Sequence, residues 1–196
     1  MKAVATRIAD VQLVEPRVFE DSRGLFFESY NERVLAEFGI KGPFVQDNQS
    51  FSRQDVVRGL HYQIQQSQGK LIRCLSGEIF DVAVDLRRHS PTFRQWVGET
   101  LSGSNRHMLW IPPGFAHGFM VLSEGAEVLY KATDFYAPQH ERTILWNDPS
   151  INIEWPRKNQ AILSPKDLAG STLEHAAVYE ELGRTTEKTP AHSAVS

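Results

Sequence analysis

Apolar and polar residues alternate along most of this chain in short runs, and turn-forming residues interrupt the runs at close intervals. The clearest run spans 78–86. There Phe80, Val82, Val84 and Leu86 fall on one face of an extended strand, and Ile79, Asp81, Ala83 and Asp85 fall on the other. The second face mixes carboxylates with small and apolar groups, a composition that suits the wall of a polar cavity. Further strands are predicted over 7–13, 24–29, 44–52, 70–75, 95–101, 107–111, 118–122 and 127–134. Turn signals stand between them at Ser76-Gly77, Ser90-Pro91, Ser102-Gly103, Pro112-Pro113-Gly114 and Glu124-Gly125. Many short strands separated in this way predict an all-β chain, a sandwich or barrel of antiparallel strands.

Helical patterning is confined to a few places. Asn31 is a good N-cap for a helix over 32–38, in which Val34, Leu35 and Phe38 form the apolar set and Gly39 is the stop. Ser164-Pro165-Lys166-Asp167 reads as a helical turn, with Ser164 capping and Pro165 at the first position. A second helix is expected over 173–182, before Gly183. Beyond it the residues are small and polar, so the reading is one domain over 1–183 and a disordered tail over 184–196.

Composition narrows the classes of function. At 196 residues, 41% hydrophobic and 23% charged, the chain is long enough for one domain with a full core. Its net charge of -3 argues against a general nucleic-acid binder, so an anionic ligand must meet a local group of Arg and Lys. The one cysteine, Cys74, excludes an intramolecular disulfide and a multi-cysteine metal site. No apolar run has the length of a membrane span or a signal peptide, and a soluble, cytoplasmic protein is expected.

Chemistry concentrates in Arg58-Gly59-Leu60-His61-Tyr62-Gln63 and the nearby Gln68-Gly69-Lys70-Leu71-Ile72-Arg73. Imidazole side chains titrate near neutrality and serve as bases, while Lys70 and Arg58 supply positive charge for an anion beside His61. That grouping suits proton abstraction next to a carbonyl. Taken alone, the same residues also fit a strand and hairpin with solvated charges.

Other segments extend the pattern: Asp21-Ser22-Arg23-Gly24-Leu25-Phe26-Phe27-Glu28, Phe44-Val45-Gln46-Asp47-Asn48, Gly77-Glu78-Ile79-Phe80-Asp81, Trp110-Ile111-Pro112-Pro113-Gly114-Phe115-Ala116-His117, Leu129-Tyr130-Lys131, Trp146-Asn147-Asp148-Pro149 and Leu163-Ser164-Pro165-Lys166-Asp167. Together with the 58–73 stretch they resemble the dTDP-4-dehydrorhamnose 3,5-epimerase family, in the family's order and over about residues 11–173. The resemblance implies a cupin-type jelly-roll with a few short peripheral helices, working as a homodimer without cofactor. It also implies inversion of a dTDP-linked 4-keto-6-deoxy hexose at the two carbons flanking the ketone, in dTDP-L-rhamnose and cell-envelope biosynthesis.

By the same resemblance His61 is the base, Tyr130 the acid on the opposite face, Lys70 the partner of the enolate and Asp167 the carboxylate that orients His61. Substrate binding falls on Arg23, Glu28, Gln46, Asp47, Asn48, Arg58, Lys70, His117, Glu141 and Lys166. Phe19, Phe27 and Tyr136 are candidate platforms for the base. Plain structural roles compete with several of these. Arg23 with Glu28 suits a surface ion pair, His117 a core histidine closing the Pro-Pro-Gly turn, and Asp167 an ordinary acid in a first helical turn.

Three other readings are open: a relative that inverts only one carbon, a metal-dependent cupin dioxygenase, and a non-catalytic sugar-nucleotide binder. Where metal cupins carry a His-x-His pair this chain has His61-Tyr62-Gln63, and His117 alone fits the last ligand. Two distant histidines make a poor transition-metal site, so no metal is expected. Neither nucleic acid nor membrane is an expected partner.

Overall fold

The computed structural model describes residues 1–180. Its strands are β1 (Lys2–Ala5), β2 (Gln12–Glu15), β3 (Val18–Asp21), β4 (Gly24–Phe27), β5 (Gln46–Arg53), β6 (Val57–Gln63), β7 (Lys70–Ser76), β8 (Glu78–Asp85), β9 (Trp96–Ser102), β10 (Met108–Ile111), β11 (Phe115–Val121), β12 (Gly125–Ala132) and β13 (Glu141–Thr143), with helices α1 (Glu32–Glu37) and α2 (Pro165–Leu168). Two antiparallel sheets form the body, one ordered β1-β2-β10-β7-β12-β5 and the other β13-β6-β11-β8-β9. The hairpin β3–β4 stands apart as a two-stranded ribbon. This is the expected all-β, cupin-like jelly-roll.

Alternation along the strands divides the apolar residues among three clusters. Ile72 and Cys74 of β7, Ile79 and Ala83 of β8, Phe115 and Phe119 of β11 and Val128 of β12 meet between the sheets. The other face of β8, with Val82 and Val84, packs under Trp146, Ile153, Trp155 and Tyr179 from the chain that follows the last strand. On the outer face of the six-stranded sheet, Leu71, Met108 and Trp110 are covered by Leu35 of α1 and by Ile40. Burial of this much apolar surface is the main source of stability.

Sequence expectations fail where burial replaces alternation. Residues 7–11 form a loop in place of the expected strand start, with the Thr6 hydroxyl donating to the Val11 carbonyl (2.8 Å) while Ile8 and Val11 plug the core. Strand β11 begins at Phe115, earlier than expected, and is buried along its whole length, so no polar face marks it. The helix expected over 173–182 is absent from its described part. Leu173–Glu180 is instead a turn followed by an extended run, tied down by the amide of Tyr179 on the Leu86 carbonyl (3.0 Å) and the Tyr62 hydroxyl on the Ala177 carbonyl (2.5 Å). Residues 181–196, including the expected tail, lie outside the described residues. By contrast α1 forms as expected, with the Asn31 side chain accepting from the Val34 amide.

One close approach of backbone sets up the site. Gly59 has φ +125°, and a Cβ there would stand 2.6 Å from Gly118 Cα and 2.7 Å from the His117 carbonyl oxygen. A Cβ on Gly118 would meet the Arg58 carbonyl oxygen at 2.7 Å. Only paired glycines let β6 and β11 come this near. Gly118→Ala is therefore expected to destabilise the fold by roughly 1–3 kcal/mol, as overpacking does. Urea unfolding monitored by tryptophan fluorescence measures it, and a wild-type midpoint would show that the strands can separate freely.

Candidate active site

Both sheets contribute inward-facing polar groups at one end of the jelly-roll. On β6 and β11, His61 lies directly opposite His117. On the other sheet Tyr130 of β12 pairs with Ile72 of β7, and Ala132 pairs with Lys70. Since Ile72 faces the interior, Lys70 and Tyr130 face it too. Arg58, His61, Lys70, His117, Tyr130 and Glu141 thus line one cavity of about 290 Å³.

His61 is held from behind. Its Nε2 lies 2.5 Å from Oδ1 of Asp167, a residue only 4% exposed. The helical turn α2 presents this carboxylate. Ser164 caps the turn by accepting from the Asp167 amide (3.1 Å), and its hydroxyl donates to Asp167 Oδ2 (2.8 Å). Burial pushes the Asp167 carboxyl up, but the hydrogen bonds from His61 and Ser164 outweigh it and hold the pKa below the usual value. An ionised carboxylate only accepts hydrogen bonds, so Nε2 carries the ring proton and Nδ1 is left with the basic lone pair.

The remaining groups have matching electrostatics. Burial lowers Lys70 to about 8, against the opposing pull of Asp81 and Glu141. Tyr130 is shifted upward, first by burial and then by the Glu141 charge, so its phenol keeps its proton. His117, buried beside Asp81, is shifted downward by burial more strongly than Asp81 can raise it. Glu141 is drawn up by burial but ends below its ordinary value through hydrogen bonds with Lys166 and Tyr136. The distances are 2.6 Å from Lys166 Nζ to Oε1 and 2.8 Å from the Tyr136 hydroxyl to Oε2.

Of the residues singled out in the sequence, His61, Tyr130, Lys70, Arg58, His117, Glu141 and Asn48 all line the cavity. Gln46 supports the rim, donating to Asn48 Oδ1 (2.9 Å) and accepting from the Tyr136 amide (3.0 Å). Lys166 reaches Glu141 from outside. Asp47 points the other way, to the outer sheet face, where it pairs with Lys131 at 3.0 Å. Arg23 and Glu28 also lie outside this cavity. Arg23 is paired with Asp21 on the protruding hairpin, and Glu28, just beyond β4, accepts from Asn31 (3.1 Å). Among the aromatic candidates only Tyr136 stands at the cavity; Phe27 lies under the Arg73 guanidinium and Phe19 under that of Arg17.

Gln63 was not anticipated. It is buried, donates to the carbonyls of Gln66 (2.8 Å) and Phe135 (3.2 Å) and accepts from the Ala137 amide (2.8 Å), pinning two loops at the cavity mouth. Its place two residues after His61, on the end of a strand, was the available signal. Among the described residues no three His, Cys, Asp or Glu side chains cluster as a metal site would require.

The family model described as dTDP-4-dehydrorhamnose 3,5-epimerase matches residues 5–175. The dTDP-4-dehydrorhamnose 3,5-epimerase of Pseudomonas aeruginosa is 61% identical over 180 residues, covering 91% of this chain and 99% of that one. A crystal structure of dTDP-6-deoxy-D-glucose-3,5-epimerase RmlC from Legionella pneumophila, in complex with dTDP-4-keto-L-rhamnose, superposes with a TM-score of 0.89 at 48% identity, covering 93% of this chain and 99% of that one. ChmJ, a 3'-monoepimerase from Streptomyces bikiniensis solved with dTDP-quinovose, is more distant, with a TM-score of 0.81, 30% identity and 87% of each chain covered. By sequence, by fold and by the match along nearly its whole length, the chain belongs to the dTDP-4-dehydrorhamnose 3,5-epimerase family.

Proposed function

We propose that this chain inverts C3 and C5 of dTDP-4-dehydro-6-deoxy-D-glucose to give dTDP-4-dehydro-L-rhamnose, without a cofactor. The observation that carries the mechanism is the placement of His61 and Tyr130 on opposite sheets across one cavity. A hydrogen beside a ketone is acidic because its removal leaves an enolate with charge on oxygen. His61 Nδ1 takes the proton, and the C–H electron pair moves through the carbon to the carbonyl oxygen, which the Lys70 ammonium stabilises. Tyr130 then returns a proton from the other side as the carbonyl re-forms. The result is inversion with no change of oxidation state. Solvent resets the protonated His61 and the ionised Tyr130.

We assign Arg58, on the cavity wall, to the diphosphate and the Tyr136 ring, at its mouth, to the thymine. We also assign the working unit as a homodimer. The β3–β4 hairpin carries Arg23 away from its own cavity and exposes Phe26 (71%), Phe19 (50%) and Leu25 (44%), apolar surface that a second copy would bury. A hairpin entering the second copy's cavity would reconcile the expected roles of Arg23 and Glu28 with their position. Phe26→Asp is expected to shift the protein from twice the chain mass to the chain mass in light scattering and to weaken dTDP binding roughly tenfold. A wild type already at the chain mass would refute the dimer. The single cysteine and the sugar-nucleotide substrate fit a cytoplasmic enzyme.

Incubation with dTDP-4-keto-6-deoxyglucose in heavy water, followed by NMR of the product, tests the reaction. Deuterium at both carbons with inverted configuration is the expected result. Deuterium at one carbon would place the chain with single-site epimerases, and none would overturn the assignment.

A further inference from the structure

The inward face of β8 contributes a carboxylate that the steps above leave unused. Asp81 is fully buried, and its Oδ1 lies 2.8 Å from His117 Nε2. Its Oδ2 is buried without a hydrogen-bond partner among the described residues. With His117 donating through Nε2 to Oδ1, its Nδ1 keeps the lone pair. The pair repeats the arrangement one strand away: two imidazoles in direct register on β6 and β11, each held at Nε2 by a buried carboxylate. A half-paired carboxylate in an interior is costly, and a core residue of similar size would avoid the cost.

We propose that Asp81 is a positioning residue of this site: it fixes His117 as a hydrogen-bond acceptor for a sugar hydroxyl and sets a carboxylate on the sheet facing Lys70. The inference rests on the proposed epimerase reaction. Lys70 projects from β7 into the same interior, where the charged and titratable groups around it are Asp81 on β8, His117 on β11, His61 and Arg58 on β6, Tyr130 on β12 and Glu141 on β13. Burial drives Lys70 toward its neutral form, and Asp81 is the first of two carboxylates that oppose it. Removing the Asp81 charge therefore lowers the pH at which Lys70 loses its proton. Only the ammonium stabilises an enolate, so activity must fail at lower pH.

Asp81→Asn keeps size and shape while removing the charge. The expected result is a loss of kcat at neutral pH of roughly tenfold to a hundredfold, as for groups that orient a reacting side chain, with a smaller rise in KM from the loosened His117 contact. The alkaline limb of the kcat profile should move down by about one pH unit or more. A limb that stays in place, whatever happens to kcat or to the melting temperature, would reduce Asp81 to a structural role and overturn the proposal. Nitrogen-15 NMR of the histidines in the wild-type protein provides a second test that needs no variant. His117 should be neutral with its proton on Nε2, and the Nδ1-protonated tautomer would refute the assignment. Wild-type turnover of dTDP-4-keto-6-deoxyglucose separates the two levels. Its absence would sink the epimerase reading, while normal turnover with an unmoved limb in the variant would sink only the role of Asp81.

Discussion

His61→Ala is expected to lose turnover by about a thousandfold or more while binding dTDP within about threefold of the wild type. The asymmetry follows from where the imidazole acts. In the proposed mechanism Nδ1 contributes where the C–H bond is breaking, whereas the anionic diphosphate is assigned to the Arg58 guanidinium, which the substitution leaves alone. General-base catalysis is worth about 10²–10⁴-fold, and a thousandfold loss corresponds to about 4 kcal/mol of transition-state stabilisation. Steady-state kinetics by product NMR, paired with calorimetric titration of dTDP, measures both quantities. Equal losses in kcat and in dTDP affinity would mean that the ring holds substrate and is not the base.

Tyr130→Phe should separate abstraction from inversion. The ring remains, so the packing around it is preserved, but the phenolic proton on the six-stranded-sheet side of the cavity is gone. His61 still removes the hydrogen and, having only its own proton or a solvent deuteron to give back, returns it to the face it came from. In heavy water the recovered 4-keto sugar is expected to carry deuterium with retained configuration, and inverted product should fall at least a hundredfold. Inverted, doubly deuterated product at the wild-type rate would exclude Tyr130 as the acid.

The parts of this molecule that could be read from the sequence are those where one face differs from the other. The 78–86 run alternates cleanly, and its acid-bearing face does enter the interior at Asp81. Asn31 and Ser164 announced their helical turns because a capping side chain acts within three residues. Strand β11 was harder to delimit because it is buried on both faces, which erases the two-residue period. The run after Leu173 has helix-compatible residues, yet hydrogen bonds to Leu86, Tyr62 and Gln63, distant in sequence, draw it out. Such tertiary claims leave no local mark.

The site divides in the same way. His61, Lys70 and Tyr130 were identified from residue type and motif, and the fold brings them to one cavity. Asp47 was grouped with Gln46 and Asn48, although the period of a strand already turns it to the opposite face. Asp167 could be named from the motif, but its bond to a histidine 106 positions away is a property of the folded chain alone.

The helical turn Pro165–Leu168 follows every strand of the two sheets in the chain. It supplies Asp167 to the back of His61 and Lys166 to Glu141, which in turn holds Tyr136 at the mouth. On the proposed mechanism a ribosome therefore delivers His61, Tyr130 and Arg58 well before Asp167, the carboxylate assigned to set the tautomer of His61. A nascent or prematurely terminated chain ending near Gln160 has the thirteen described strands in its sequence but lacks the carboxylate behind His61. On the proposed mechanism the alignment of the base therefore waits on residues that follow both sheets, and a chain stopped before Asp167 is expected to turn over sugar nucleotides far more slowly.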